Sequence, residues 1–418
     1  MDTEEMKPWQ KGQSLEDLQK LTEPFKRAHK PHCYGAFELT KERDVATALE
    51  AGRFLWKYRT ADNPTGELRP LSSAVEVGAA LIYREVGPRP KRVRDFTGEA
   101  HIVPVGSIYV SSFAALDHRS GSLLLEDLRE KFPRQKIYIE TFIEDACSSS
   151  AAELQGMAPL WHLVRAGSEI KVVWFPHYKS GGLGWEAPPE RLPGPSYDAV
   201  ELLSLAELDW SCKGTETLEI VRQELREAEN SFRQHYSSYN KRKSWTALSL
   251  RGFSLDPGFV IKPQEMSRKW KADNQELLEN EPQWTEIASR CPETMALALS
   301  LAGGEDSIDR LRFMRLAPER GELARHADIT DREAGVAPGS IVRLHIPCQT
   351  NEQVKGYSWD CLGRMACQHW REGGLYYLDQ RKPHRVTNEG LTDRTHLVLD
   401  MRINSLVRVL LADSLEAR

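Results

Sequence analysis

Residues 312–328 read Arg-Phe-Met-Arg-Leu-Ala-Pro-Glu-Arg-Gly-Glu-Leu-Ala-Arg-His-Ala-Asp, and the same region closes with Arg381-Lys-Pro-His384-Arg-Val-Thr and Asp393-Arg394-Thr-His396-Leu-Val-Leu. A short strand-like run, 311–316, leads through a Pro/Gly turn to His326-Ala-Asp328. Alternate residues of a strand point to one side, so His326 and Asp328 can share an interior face. A second imidazole, His384, follows 58 positions after the first, beyond the strand-like Leu375-Tyr-Tyr-Leu and the turn Asp379-Gln-Arg-Lys-Pro. Two imidazoles and one carboxylate are the ligand types that hold non-haem Fe(II) on one face and leave other positions open.

With 12 histidines in 418 residues, a His-x-Asp triplet arises by chance roughly 0.6 times, so the flanking blocks have to carry the reading. These blocks, spread over about 239–400, are Ser244-Trp-Thr-Ala-Leu-Ser-Leu-Arg, Arg312-Phe-Met-Arg-Leu-Ala-Pro, His326-Ala-Asp, Val342-Arg-Leu-His-Ile-Pro, Gly373-Gly-Leu-Tyr-Tyr-Leu-Asp, Lys382-Pro-His-Arg-Val-Thr-Asn and Asp393-Arg-Thr-His-Leu. In this order and spacing they resemble the Fe(II)- and 2-oxoglutarate-dependent oxygenases, and within them the aspartyl/asparaginyl β-hydroxylase-like group.

The resemblance implies a double-stranded β-helix (jelly-roll or cupin-like) with Fe(II) held by His326, Asp328 and His384. Arg394, ten residues after His384, stands where the family places the arginine that grips the distal carboxylate of 2-oxoglutarate. A guanidinium suits that task because its planar fork makes two parallel hydrogen bonds to a carboxylate. Arg343 and His345 align with family positions that help bind cosubstrate or substrate carboxylates. The implied reaction consumes O2 and 2-oxoglutarate, releases succinate and CO2, and hydroxylates an unactivated C–H of an amino acid, free, peptidyl or within a natural product. Related halogenases have a small residue where Asp328 stands, which leaves room for chloride, so its presence favours hydroxylation or desaturation.

Other side chains have two readings. Arg312 and Arg315 suit substrate contact or rim ion pairs. Trp359 and Trp370, with Tyr376, suit an aromatic substrate wall or ordinary packing. His345 and His396 lie in apolar strand patterns, where a hydrogen-bonded core histidine is the ordinary outcome.

Working outward, the length exceeds one usual hydrophobic core, so an α+β chain of two domains is expected. The boundaries read as a helical lead-in at 1–60, an α/β accessory domain at 61–210 and the β-helix with flanking helices at 211–418. Forty per cent hydrophobic and 28 per cent charged residues with a net charge of −5 describe an ordinary globular chain without the basic excess that nucleic acid requires. The opening Met-Asp-Thr-Glu-Glu-Met-Lys-Pro lacks the pattern of a secretory signal, and no apolar run suffices for a membrane helix, so a cytoplasmic location is expected; the resemblance implies a small amino-acid-like substrate, and a homodimer is left as an open expectation. Seven scattered cysteines without Cys-x-x-Cys read as free thiols.

Helices are expected at 41–58, 123–132, 157–165, 215–243, 274–289 and 292–301, with a capping box at Ser14-Leu-Glu-Asp. Strands are expected at 75–83, 108–112, 136–142, 169–175, 245–250, 312–316, 341–346, 374–378, 386–387 and 395–400. The Gly- and Pro-rich tract 179–196 marks the connection between domains.

Residues 98–180 loosely resemble an acyl-CoA N-acetyltransferase core, through Ile108-Tyr-Val, the turn Asp117-His-Arg119-Ser-Gly121-Ser122, a following helix and Ile137-Tyr-Ile-Glu-Thr. The turn departs from that family's pyrophosphate-holding pattern, because Arg119 stands only two positions before Gly121. A non-catalytic accessory role is the expectation. The alternatives are a bifunctional acetyltransferase-hydroxylase and a cupin-like binding protein in which metal is structural.

Overall fold

The strand runs separate into two groups that pack among themselves. In the computed structural model, which describes residues 54–60, 75–115, 118–165, 169–176, 197–211, 214–235, 240, 242–328 and 331–416, contacts divide the chain into Met1–Leu163 with Glu169–Ser196 and Tyr197–Arg418 with Val164–Ser168. The capping box at Ser14, Asp117, and the tract 179–196 lie outside the described residues.

The first unit carries β1 (Phe54–Thr60), β2 (Val75–Glu85), β3 (Lys91–Arg94), β4 (Ala100–Val103), β5 (Ile108–Ala115), β6 (Ile137–Phe142), β7 (Met157–Arg165) and β8 (Glu169–Pro176). Six of these form one sheet in the order β1-β2-β5-β6-β8-β7, and β3 pairs β4 separately. β5 and β6 run parallel, which demands a crossover, supplied by the helix His118–Lys131. Leu124, Leu125 and Leu128 of that helix are buried with Leu81, Val110 and Phe113. A Cβ on Gly121 would lie 2.7 Å from that of Ala151 and 2.8 Å from that of Ala115, so glycine permits the close approach of helix to sheet. Two helix expectations fail here. Residues 157–165 form β7; an apolar run this short does not separate helix from strand by period. Phe54–Thr60, overlapping the end of the expected 41–58 helix, is a strand paired with β2, in keeping with its aromatic content.

The second unit carries β9 (Leu205–Ser211), β10 (Arg233–Gln234), β11 (Trp245–Gly252), β12 (Gln283–Trp284), β13 (Ile308–Leu316), β14 (Gly321–His326), β15 (Ile341–Gln349), β16 (Val354–Trp359), β17 (Met365–Gln368), β18 (Gly374–Leu378), β19 (His384–Asn388) and β20 (Arg394–Arg402). The large sheet runs β10-β11-β13-β20-β15-β18-β9, with β12 beside β11, and the small one β14-β19-β16-β17. From β13 onward the chain passes back and forth between the two sheets with antiparallel pairing throughout, the winding of a jelly roll. Because β9 pairs β18, residues 197–211 belong with this unit, ahead of the boundary expected at 210.

Strand alternation gives the large sheet two unlike faces. Leu311 and Phe313 of β13, Val342, Leu344 and Ile346 of β15, and Leu397, Leu399 and Met401 of β20 are buried in one apolar cluster with Val221, Leu225, Leu297, Leu301, Val407 and Leu411. Those last six lie on helices Gly214–Glu227, Pro292–Ala302 and Ser405–Glu416. The intervening positions Arg310, Arg312, Arg343, His345, Arg394, His396 and Asp400 are polar yet buried. A polar set so buried has to be paired or carry function.

The helix expected at 215–243 stops at Glu227, where Glu229–Ser231 tightens to a 3-10 turn before β10; asparagine and serine compete for backbone hydrogen bonds and favour turns. The expected 274–289 helix is broken into Gln275–Leu278, β12 and a 3-10 turn at Glu286–Arg290. Pro292–Ala302 starts with proline in its first turn and ends at Gly303 with φ 76°, the usual asymmetry of helix ends. Cys291, Cys361 and Cys367 are free thiols. Among the described residues no helix is long and apolar enough to cross a membrane.

Candidate metal centre

His326 is the last residue of β14 and His384 the first of β19, and the two are cross-strand partners at one end of the small sheet. Their ring centroids lie 4.2 Å apart. Each ring is turned the same way: Nδ1 of His326 faces the Ala324 carbonyl at 2.8 Å, and Nδ1 of His384 faces that of Lys382 at 3.0 Å. A carbonyl only accepts, so both Nδ1 atoms carry the proton and both Nε2 atoms present the lone pair a metal uses. Burial pushes both imidazoles below their usual pKa, His384 to about 3 with the neighbouring His326 adding to the effect. They are neutral, and ready as ligands, through the physiological range.

The turn that delivers His384 is held from within. Arg381 pairs with Asp379 and Glu201, each at 2.7 Å, and the fully buried Lys382 ammonium donates to the carbonyls of Glu201 and of Leu203, the latter at 2.6 Å. Asp328 lies beyond the end of β14, so its direction does not come from strand alternation. Its N–H donates to the Gln380 carbonyl at 2.7 Å, tying it to the turn that carries His384. The ligand atoms of His326, Asp328 and His384 all fall within 4.8 Å of one another. Burial by itself would raise the Asp328 carboxyl, but Arg343 and the two histidines hold it well below the usual carboxylate range.

Behind Asp328 stands Asp400, fully buried on β20. It accepts from Arg312 at 2.6 Å, Arg310 at 2.8 Å, and Arg343 at 2.8 and 3.2 Å. Arg343 also donates to Asp328 Oδ2 at 2.7 Å. Of the arginines read as anchors, Arg312 is buried between Asp400 and the Val260 carbonyl, the ion-pair arrangement of its two readings, and Arg343 is engaged by two carboxylates of the protein.

Arg394 behaves oppositely. It is buried, its Nη2 lies 2.8 Å from His396 Nδ1, and its Cζ lies 5.7 Å from the centre of the Trp370 ring. No carboxylate is paired with it among the described residues, and burial lowers its pKa to about 9. Because His396 Nδ1 accepts from a guanidinium, His396 carries its proton on Nε2. Arg394 Nε, His396 Nε2, Trp370 Nε1 and both nitrogens of His345 are buried without a hydrogen-bond partner. Trp370 lies 5.0 Å from His345 and 5.1 Å from His396, ring to ring. A Cβ on Gly356 would come within 3.0 Å of the Trp370 ring, so glycine at that point of β16 makes room for the indole. These unmet polar atoms stand around a buried cation, an arrangement that a bound polar partner would satisfy.

Arg315 pairs with both oxygens of Glu229, one at 2.6 Å, and lies 4.0 Å from the Phe232 ring centre, a rim ion pair. Trp359 stacks under the Arg325 guanidinium at 4.3 Å. His396, Asp400, Arg310 and Gly356 were not singled out as site residues by sequence reading. The alternation Arg310-x-Arg312 opposite Asp400, and Arg394-x-His396 on one strand, is the signal that could have found them.

Several imidazoles here titrate far below solution values. Burial lowers His235, stacked on Trp245 at 3.6 Å, to about 3, and lowers His345 and His396 well below 6.5. The unfolded chain therefore binds more protons than the folded one below pH 6.5, and stability present above that value is lost as pH falls toward 3. At pH 5.5 each such histidine costs on the order of 1 kcal/mol. Urea midpoints of the metal-free protein should fall between pH 7.5 and 5.5; a flat profile would contradict these neutral rings.

Residues 215–403 match the family model described as Aspartyl/Asparaginyl beta-hydroxylase. No curated protein matches the sequence. Solved structures with partial likeness include a Pseudomonas putida prolyl-4-hydroxylase, 12% identical over 48% of this chain and 94% of that one, TM-score 0.27. They also include a Trichoplax adhaerens prolyl hydroxylase in complex with a hypoxia inducible factor oxygen degradation domain peptide, 12% identical over 50% and 86%, TM-score 0.28. A third is a Burkholderia pseudomallei oxidoreductase of the 2OG-Fe(II) oxygenase family, 13% identical over 47% and 95%, TM-score 0.26. On this match, it is the second unit of this chain whose sequence is similar to the aspartyl/asparaginyl β-hydroxylase family.

Proposed function

We propose that the chain is an Fe(II)- and 2-oxoglutarate-dependent hydroxylase in which His326, Asp328 and His384 hold the iron. Arg394 receives the distal carboxylate of 2-oxoglutarate. The carrying observation is the conjunction of a His-Asp-His group whose ligand atoms lie within 4.8 Å with a buried guanidinium and orphaned donors on the same interior. When bound, the metal and 2-oxoacid supply oxygen activation, coupling loss of CO2 and formation of succinate to insertion of oxygen into a C–H bond.

The chain's own residues prepare for this. The Ala324 and Lys382 carbonyls keep both histidines in the ligating tautomer, and Asp328 brings the negative charge that favours a divalent cation. Arg394, Trp370 and His396 offer N–H donors in a dry chamber, where hydrogen bonds to a carboxylate are strong. The family description supports an amino-acid-type substrate, free or in a peptide. The arginines read from sequence as substrate anchors give less support, because Arg312 and Arg343 are spent on Asp400.

Fe(II) supplied anaerobically, followed by oxygen and 2-oxoglutarate, should yield succinate, and a panel of amino acids and peptides should include one gaining a single oxygen atom. Metal binding without succinate under any of these conditions would favour the cupin-like binding protein instead.

A second reading has one observation behind it. β5 and β6 pair in parallel only from Ile108 to Val110 against Ile137 to Ile139, although both strands continue to Ala115 and Phe142. The pair opens beside the start of the helix His118–Lys131, where an acyl-CoA pyrophosphate could meet backbone N–H groups. Acetyl-CoA titrated into the full chain would show binding on this reading; no heat at millimolar ligand would dismiss it.

A further inference from the structure

We propose that Arg343 is a positioning residue for the metal centre, holding Asp328 so that only one of its oxygens is available as a ligand. The inference rests on the reading of Asp328 as a ligand given above, and it departs from the cosubstrate role that resemblance suggests for this arginine.

The geometry divides the Asp328 carboxylate between two tasks. Oδ1 lies 3.6 Å from His326 Nε2, toward the ligand cluster. Oδ2 accepts from Arg343 Nη1 at 2.7 Å. The guanidinium cannot swing away, because its other edge is gripped by Asp400, with Nε on Oδ1 at 2.8 Å and Nη2 on Oδ2 at 3.2 Å. Asp400 is fully buried and is itself fixed by Arg310 and Arg312 on β13. Three strands thus define the orientation of one guanidinium: β15 carries Arg343, β20 carries Asp400 opposite it in register, and β13 carries the two arginines that hold Asp400.

A carboxylate that can use both oxygens occupies two positions on a metal; one whose second oxygen is engaged occupies one. Arg343 therefore keeps a coordination position open and fixes Asp328 before metal arrives. The planar fork is essential, since an ammonium cannot address Asp400 through two donors while donating to Asp328 through a third at a fixed angle.

The test uses the full chain stripped of metal, with Co(II) as the probe by calorimetry and by its visible spectrum. Arg343→Lys keeps a cation beside Asp400 and protects the fold; Arg343→Gln removes the charge. Both should bind Co(II) about 10- to 100-fold more weakly, with an altered Co(II) spectrum and 2-oxoglutarate affinity unchanged at saturating metal. Undiminished Co(II) affinity with an unchanged spectrum in Arg343→Lys would overturn the proposal, as would a loss confined to 2-oxoglutarate. His326→Ala run alongside separates the two levels: if it binds Co(II) as well as the parent protein, the ligand assignment itself fails.

Discussion

Asp328→Ala is expected to abolish hydroxylation, with succinate formation lost along with it. The substitution removes the one anionic member of the His326, Asp328, His384 group and leaves two neutral imidazoles. It also strips Arg343 of its 2.7 Å partner, so the guanidinium charge then faces the cation that should bind. Removing one charged partner from a binding contact costs about 2–4 kcal/mol, roughly 30- to 1,000-fold in metal affinity. Measuring Fe(II)-dependent succinate release beside Co(II) affinity keeps the two consequences separate. Turnover equal to the parent protein would remove Asp328 from the site. Asp328→Glu is an informative companion: it keeps the charge but lengthens the arm, and intermediate affinity with poor turnover would place the requirement on geometry.

The candidate centre was legible in the sequence because the blocks around it fall on legible elements. β13, β15, β18 and β20 all fall on runs read as strands, whereas β14, which ends at His326 and pairs it with His384 of β19, was not read as one. The reason given for Asp328 was wrong in detail: it follows the strand, and a hydrogen bond to Gln380, 52 positions away, aims it. Such a contact leaves no periodic trace. The roles of Arg312 and Arg343 were unreadable for a related reason. Sequence shows that an arginine is present, but the partner that absorbs its charge, Asp400, becomes visible only once strand register places it opposite Arg310 and Arg343. In the first unit, short apolar runs such as 157–165 carry too few residues for helix and strand periods to differ, so the misassignment there was of local pattern rather than of fold.

Arg394→Met should weaken 2-oxoglutarate binding by roughly 30- to 1,000-fold, the ~2–4 kcal/mol scale of removing one partner from a buried charge pair. Co(II) affinity measured without cosubstrate should not change, because no contact links Arg394 to Asp328, His326 or His384 among the described residues. The expectation follows from an imbalance in the chain itself. Asp400 collects three guanidiniums, whereas among the described residues Arg394 has only the Nδ1 of His396 as an acceptor. A cation this buried, beside unmet donors on Trp370, His396 and His345, destabilises the protein unless an anion completes it. The Met variant should therefore be no less stable than the parent in the absence of ligand, while losing most of the stabilisation that 2-oxoglutarate confers on the parent. That combination, higher or equal melting temperature alone and little shift with ligand, separates an anion-binding arginine from one needed for folding. If Arg394→Met instead unfolds the second unit, or binds 2-oxoglutarate like the parent, the chamber is part of the packing and the cosubstrate anchor must be sought elsewhere.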